Sequence, residues 1–133
     1  KYNIKCFSKK IDVPTIAKTK KIGTEEAGRN ARYEFFDEIL EKENANKYIV
    51  SLIALLHDAD DYKLFGMENA EKLTNAKIIM DDCNVDKAIL EQVCDVINNI
   101  GYSKRLKGHS PTTLEGKIVS DVDMCDALEQ MVF

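Results

Sequence analysis

The chain has 133 residues, enough for one domain with a single real core. With 44% apolar and 32% charged residues it has the composition of a soluble globular protein. The formal charge of −4 argues against non-specific binding to nucleic acid or to an anionic membrane, though not against a local basic pocket.

The start, Lys1-Tyr2-Asn3-Ile4-Lys5-Cys6, has no initiator Met, as in a trimmed chain or a fragment, and lacks the apolar core of a signal peptide. No apolar run approaches the roughly 20 residues of a membrane span. Residues 1–23 are basic, contain Pro14 and show only a weak apolar pattern. They read as an irregular arm, or a short helix and turn, closed by Gly23. Thr24 offers an N-cap, and Glu25 and Glu26 suit a first helical turn. That helix should run to about Asn44, with Tyr33, Phe36, Ile39 and Leu40 as its apolar face. Asn46 can cap the next helix, whose apolar residues Ile49, Leu52, Ile53 and Leu56 lie on one side. It ends at His57-Asp58.

After Phe65-Gly66 the chain turns, and Met67 to about Asp82 reads as a further helix marked by Ala70, Leu73, Lys77 and Met80. Asn84 is the expected cap of the next one. Val85, Ile89, Val93, Val96, Ile97 and Ile100 form its stripe, and Gly101 stops it. A polar loop with Lys104, Arg105, Lys107, His109 and Pro111 follows. Thr112 and Glu115 then make a capping box for the last helix. No segment alternates like a strand. The expected fold is an all-α bundle of five or more helices, one domain over 1–133 with an arm over 1–23 and a core over 24–128. Cys6, Cys83, Cys94 and Cys125 form no CxxC pair, which suits free thiols in a cytoplasm and gives no zinc-ribbon spacing.

Asp58, Asp60 and Asp61 stand where the second helix ends. A helix C-terminus carries partial negative charge and prefers cations. Either water solvates these acids in a turn beside a half-buried His57, or a positive charge such as a divalent metal sits among them. The last helix also carries interior acids: Asp123 and Asp126 share a face, and Asp121 falls with Ile118, Cys125 and Leu128. Acids on apolar stripes cost stability unless paired or bound to a cation. Two such helices suggest one shared site.

The pair LLHDxxD, at residues 55–61, and LEGKIVSDxDxxDA, at residues 114–127, resembles the HD-domain superfamily of metal-dependent phosphohydrolases, in its small single-domain bacterial form. The resemblance covers roughly residues 24 to 128. It implies a helical HD bundle and a hydrolase cleaving a phosphate ester or anhydride of a nucleotide or other small molecule. It implies a divalent metal (Mn, Mg, Co, Fe, Ni or Zn) on His57, Asp58 and Asp123, with Asp121 the competing late ligand. Asp61 becomes the general acid or base. Lys63, Lys104 and Arg105, with Lys107, are available for phosphate oxygens. The partner is then a small phosphorylated substrate, with no nucleic acid and no membrane.

Two departures are visible. The family's early histidine should fall near Gly28-Arg29-Asn30-Ala31-Arg32-Tyr33, which has none, leaving His109 as a substitute or the site reduced to three ligands. The chain also runs from Asp126-Ala127-Leu128 straight into Glu129-Gln130-Met131-Val132-Phe133. A non-catalytic module binding metal or nucleotide, and a helical interaction module, are the alternatives.

Overall fold

The computed structural model describes residues 6–132; the side chains of 102, 103 and 125–132, Cys125 and Asp126 among them, lie outside that description. Among the described residues there are nine helices and no strand, so the all-α expectation holds. None of these helices is long and apolar enough to cross a membrane. The chain divides into two compact units, residues 1–45 and 46–133.

The first unit is a helical hairpin of α1 (Val13–Lys20) and α2 (Thr24–Lys42). Asp12 starts α1: its carboxylate accepts from the Thr15 N–H at 3.2 Å and the Thr15 hydroxyl at 2.8 Å. Pro14 sits in the first turn, where no N–H is needed. Lys21, at φ 54°, ends the helix in the left-handed conformation. Thr24 does not cap α2; it is the first helical residue, and Gly23 precedes it without a side-chain bond. The buried positions of α2 are Ala27, Ala31 and Leu40. Small side chains let α1 and α2 approach; at Gly28 an added Cβ would meet Val13 Cγ1 at 3.7 Å, an ordinary contact. Of the expected apolar face Leu40 is buried and Ile39 partly so, but Tyr33 is 63% exposed and Phe36 40%, so the two rings lie outside the core.

The second unit holds α3 (Lys47–Leu56), α4 (Tyr62–Phe65), α5 (Met67–Lys72), α6 (Thr74–Asp82), α7 (Lys87–Asn99), α8 (Tyr102–Leu106) and α9 (Leu114–Val132). α3 packs on both α7 and α9. Ile53, Met80, Val93 and Val96 are the largest fully buried side chains of this core, joined by Ile49, Leu56, Leu73, Ala76, Ile97, Ile100 and Val119. The predicted stripe of α7 is therefore its buried side, with Val85 and Ile89 at the margin.

Helix ends depart from expectation more than helix faces do. Asn46 caps α3, its Oδ1 accepting from Tyr48 and Ile49 N–H. The helix expected over 67–82 is broken by Leu73, which is buried and left-handed at φ 52°. Asn84 is also left-handed, and Asp86 caps α7 through the Ala88 N–H at 2.9 Å. Thr113, not Thr112, caps α9: its hydroxyl accepts from the Gly116 N–H at 3.2 Å. Glu115 reaches away from its own helix to the Asn46 N–H at 2.9 Å, tying the start of α9 to that of α3. Gly116 lies so close to α7 that a Cβ would stand 2.7 Å from Pro111 Cβ and 2.9 Å from Val96 Cγ1.

Candidate functional site

His57 terminates α3 one residue after the buried Leu56, which leaves its ring half-buried at the edge of the core. Its Nδ1 lies 2.8 Å from the Ala54 carbonyl oxygen. Only a protonated Nδ1 can make that bond, so Nε2 of the neutral ring carries the lone pair. Nε2 stands 3.2 Å from Asp58 Oδ2 and 3.8 Å from Asp123 Oδ1. The end of α3 and the middle of α9, distant in sequence, thus bring His57, Asp58 and Asp123 together. Asp121 goes elsewhere, pairing with Arg105 at 3.0 Å on the surface. Among the described residues, however, no group of three or more His, Cys, Asp or Glu side chains is disposed to hold a metal ion.

The other acids of the turn are held by backbone. Asp60 is buried, and its two oxygens accept from the Asn75 N–H at 2.8 Å and the Ala76 N–H at 2.9 Å. Asp61 caps α4 through the Lys63 N–H at 2.8 Å. Read against α3 alone, these acids sit at the unfavourable end of a helix. In the structure they face the positive ends of α4 and α6, where a carboxylate is stabilised. No cation is required to explain Asp60 or Asp61.

The basic residues have local duties. Lys104 Nζ donates to the Ile97 carbonyl at 3.0 Å, near the C-terminus of α7. Burial lowers its pKa from the ordinary 10.5. Lys63 lies exposed with its Nζ 5.9 Å from the Tyr62 ring centre, and Lys107 and His109 are exposed. Beside Asp58 an open depression is lined by Ala59, Phe65, Asn75, Ile78 and Ile79.

Comparison with known proteins points to a different chemistry. The chain is 44% identical over 59 residues to the tRNA(Ile)-lysidine synthase of Clostridium perfringens (strain 13 / Type A). It is 46% identical over 59 residues to that of Thermosipho africanus (strain TCF52B), and 49% identical over 61 residues to that of Petrotoga mobilis (strain DSM 10674 / SJ95). The match is partial. It takes in 44% to 46% of this chain and only 12% to 18% of the length of these relatives. No family model matches the chain, and no solved structure matches it.

These findings overturn the HD-type phosphohydrolase expectation. The relatives are named for making lysidine on a tRNA, not for cleaving a phosphate ester, and no HD family match accompanies the LLHD and LEGK blocks. The structure gives those blocks other work: Asp60 and Asp61 hold helix starts, Glu115 ties α9 to α3, and Gly116 permits close packing. The exclusion of nucleic acid falls as well, because the relatives' named substrate is a tRNA. Residues 1–23 contain seven lysines against one aspartate, a local excess that the whole-chain charge averages away.

Proposed function

We propose that the chain serves tRNA modification of the lysidine-synthase kind and supplies a tRNA-contacting part of that machinery rather than the whole of it. The identity of 44% to 49% with synthases from several organisms carries this reading. An enzyme that modifies a tRNA must first hold it, and lysines neutralising phosphates provide most of such affinity. Lys10, Lys18 and Lys21 of the first unit are exposed for that purpose. The corresponding location is the cytoplasm. The test is fluorescence anisotropy of a labelled tRNA(Ile) transcript with the full chain over a salt series. Binding that weakens steeply with salt is expected; no binding at low salt overturns the reading.

A divalent cation on His57, Asp58 and Asp123 is a second, separate proposal. It is supported by the Nδ1 bond to Ala54, which turns the Nε2 lone pair toward two carboxylates. Small side-chain shifts would be needed to close the cage. Calorimetric titration with Mn²⁺ and Zn²⁺ tests it: His57→Ala should abolish binding and Asp121→Asn should leave it intact. Equal binding by wild type and His57→Ala would sink it.

A further inference from the structure

Along the outer side of α2 lie Arg29, Arg32, Tyr33 and Phe36. Their spacing of three, four and seven residues from Arg29 puts them on one face. That face is opposite to Ala27 and Ala31, which are buried in the hairpin, and it ends at the buried Leu40, four residues after Phe36. All four side chains are exposed. Two acids elsewhere on α2 are engaged: Glu34 stands 3.6 Å from Lys20 Nζ, and Glu38 accepts from Lys9 at 2.6 Å. Asp37 has a partner too. Among the described residues neither Arg29 nor Arg32 has an ion-pair partner, and neither Tyr33 nor Phe36 has a ring contact. Glu25 is the acid on this side, one turn before Arg29.

Two permanent cations interleaved with two bare rings form a surface of definite chemistry. A guanidinium is planar, stays charged and matches phosphate oxygens with two parallel donors. An aromatic ring offers a stacking face to any base, whatever its sequence. A duplex hides its base faces, whereas the loops of a folded RNA display them. We propose that this face of α2 binds an unpaired stretch of RNA, Tyr33 and Phe36 stacking on bases while Arg29 and Arg32 hold the flanking phosphates. The inference rests on the tRNA reading for the class of partner and adds which part of the RNA is held and by which residues. Charge complementarity selects RNA over an apolar protein surface, since a purely apolar partner leaves both guanidiniums without a counter-charge.

The experiment uses the full chain and three labelled probes: a short single-stranded uridine oligonucleotide, an RNA duplex of the same length, and the tRNA(Ile) transcript. The single strand should bind about tenfold or more tighter than the duplex, a comparison that needs no variant. Tyr33→Leu with Phe36→Leu keeps apolar bulk but removes the stacking faces, and should weaken single-strand binding about tenfold or more. Arg29→Gln with Arg32→Gln should weaken it and flatten its salt dependence. Equal affinity for single strand and duplex overturns the proposal. Full retention by the leucine pair overturns it too and marks the face as a protein-docking surface. If tRNA(Ile) binds and both paired variants bind it unchanged, this inference fails while the proposed function stands. If tRNA(Ile) does not bind but the single strand does, and the leucine pair loses it, the proposed function fails while this face keeps its assignment.

Discussion

The turn after α3 and the outer face of α2 are both dense in charge, yet they end in opposite states. In the turn, Asp60 and Asp61 accept from backbone N–H groups of α6 and α4. On α2, Arg29 and Arg32 are exposed and have no ion-pair partner among the described residues, while the neighbouring acids Glu34 and Glu38 are paired. Charge that is consumed internally specifies the fold. Charge that is left over beside bare rings is available to a partner. His57 falls between the two, tied by Nδ1 to Ala54 while Nε2 faces the carboxylates of Asp58 and Asp123.

The contrast predicts a graded series of effects. The largest belongs to Asp60→Ala, which strips two backbone donors of their acceptor. Each orphaned buried donor costs about 1–3 kcal/mol, so urea unfolding should show a loss of a few kcal/mol. An unchanged midpoint would mean that water replaces the carboxylate and that the turn is not built on it. Next comes Gly116→Ala, whose added methyl meets Pro111 and Val96; overpacking of this kind costs about 1–3 kcal/mol. Thermal melting would read it, and a neutral result would show that α9 can slide away from α7.

Much smaller is the expected cost of Tyr33→Leu with Phe36→Leu, about 0.5 kcal/mol, because both rings lie at the surface and leucine keeps their apolar bulk. A large destabilisation there would transfer the α2 face from the unused class to the structural one. The smallest effect is pH-dependent. Bonds from the Thr15 hydroxyl and then the Thr15 N–H lower the Asp12 pKa from its ordinary 3.8. The folded carboxyl therefore holds its proton less tightly than the unfolded one. The stabilisation is present above pH 3.8 and is lost as pH falls through the lowered folded value. Circular dichroism in an acid titration should show Asp12→Asn losing less than the wild type over that range.

Interior faces were readable from sequence because they repeat. The stripe from Val85 to Ile100 follows the helical period and lies in or beside the core, and Asn46 caps as its position before an apolar run suggests. On α2 the expectation holds at Leu40 but fails at Tyr33 and Phe36, because close helix packing selected Ala27 and Ala31 over the rings. The turn was misread because its acids were referred to the helix they follow. Asp60 bonds fifteen and sixteen residues ahead, and Glu115 bonds sixty-nine residues back, distances at which spacing carries no signal. The approach of Asp123 to His57 depends on the same long-range packing of α9 on α3. The basic opening segment was legible, but a single net charge for the whole chain concealed it.

Leu73 determines more than a bend. In an unbroken helix over 67–82 the N–H groups of Asn75 and Ala76 would be satisfied by carbonyls four residues behind them. One left-handed residue releases both donors, and Asp60 takes them. A local structure that could form early is thereby replaced by a clamp that needs two separate stretches at once. The end of α3 and the start of α6 should consequently gain protection from hydrogen exchange together, as one cooperative step. A single left-handed residue thereby couples the end of α3 to the start of α6.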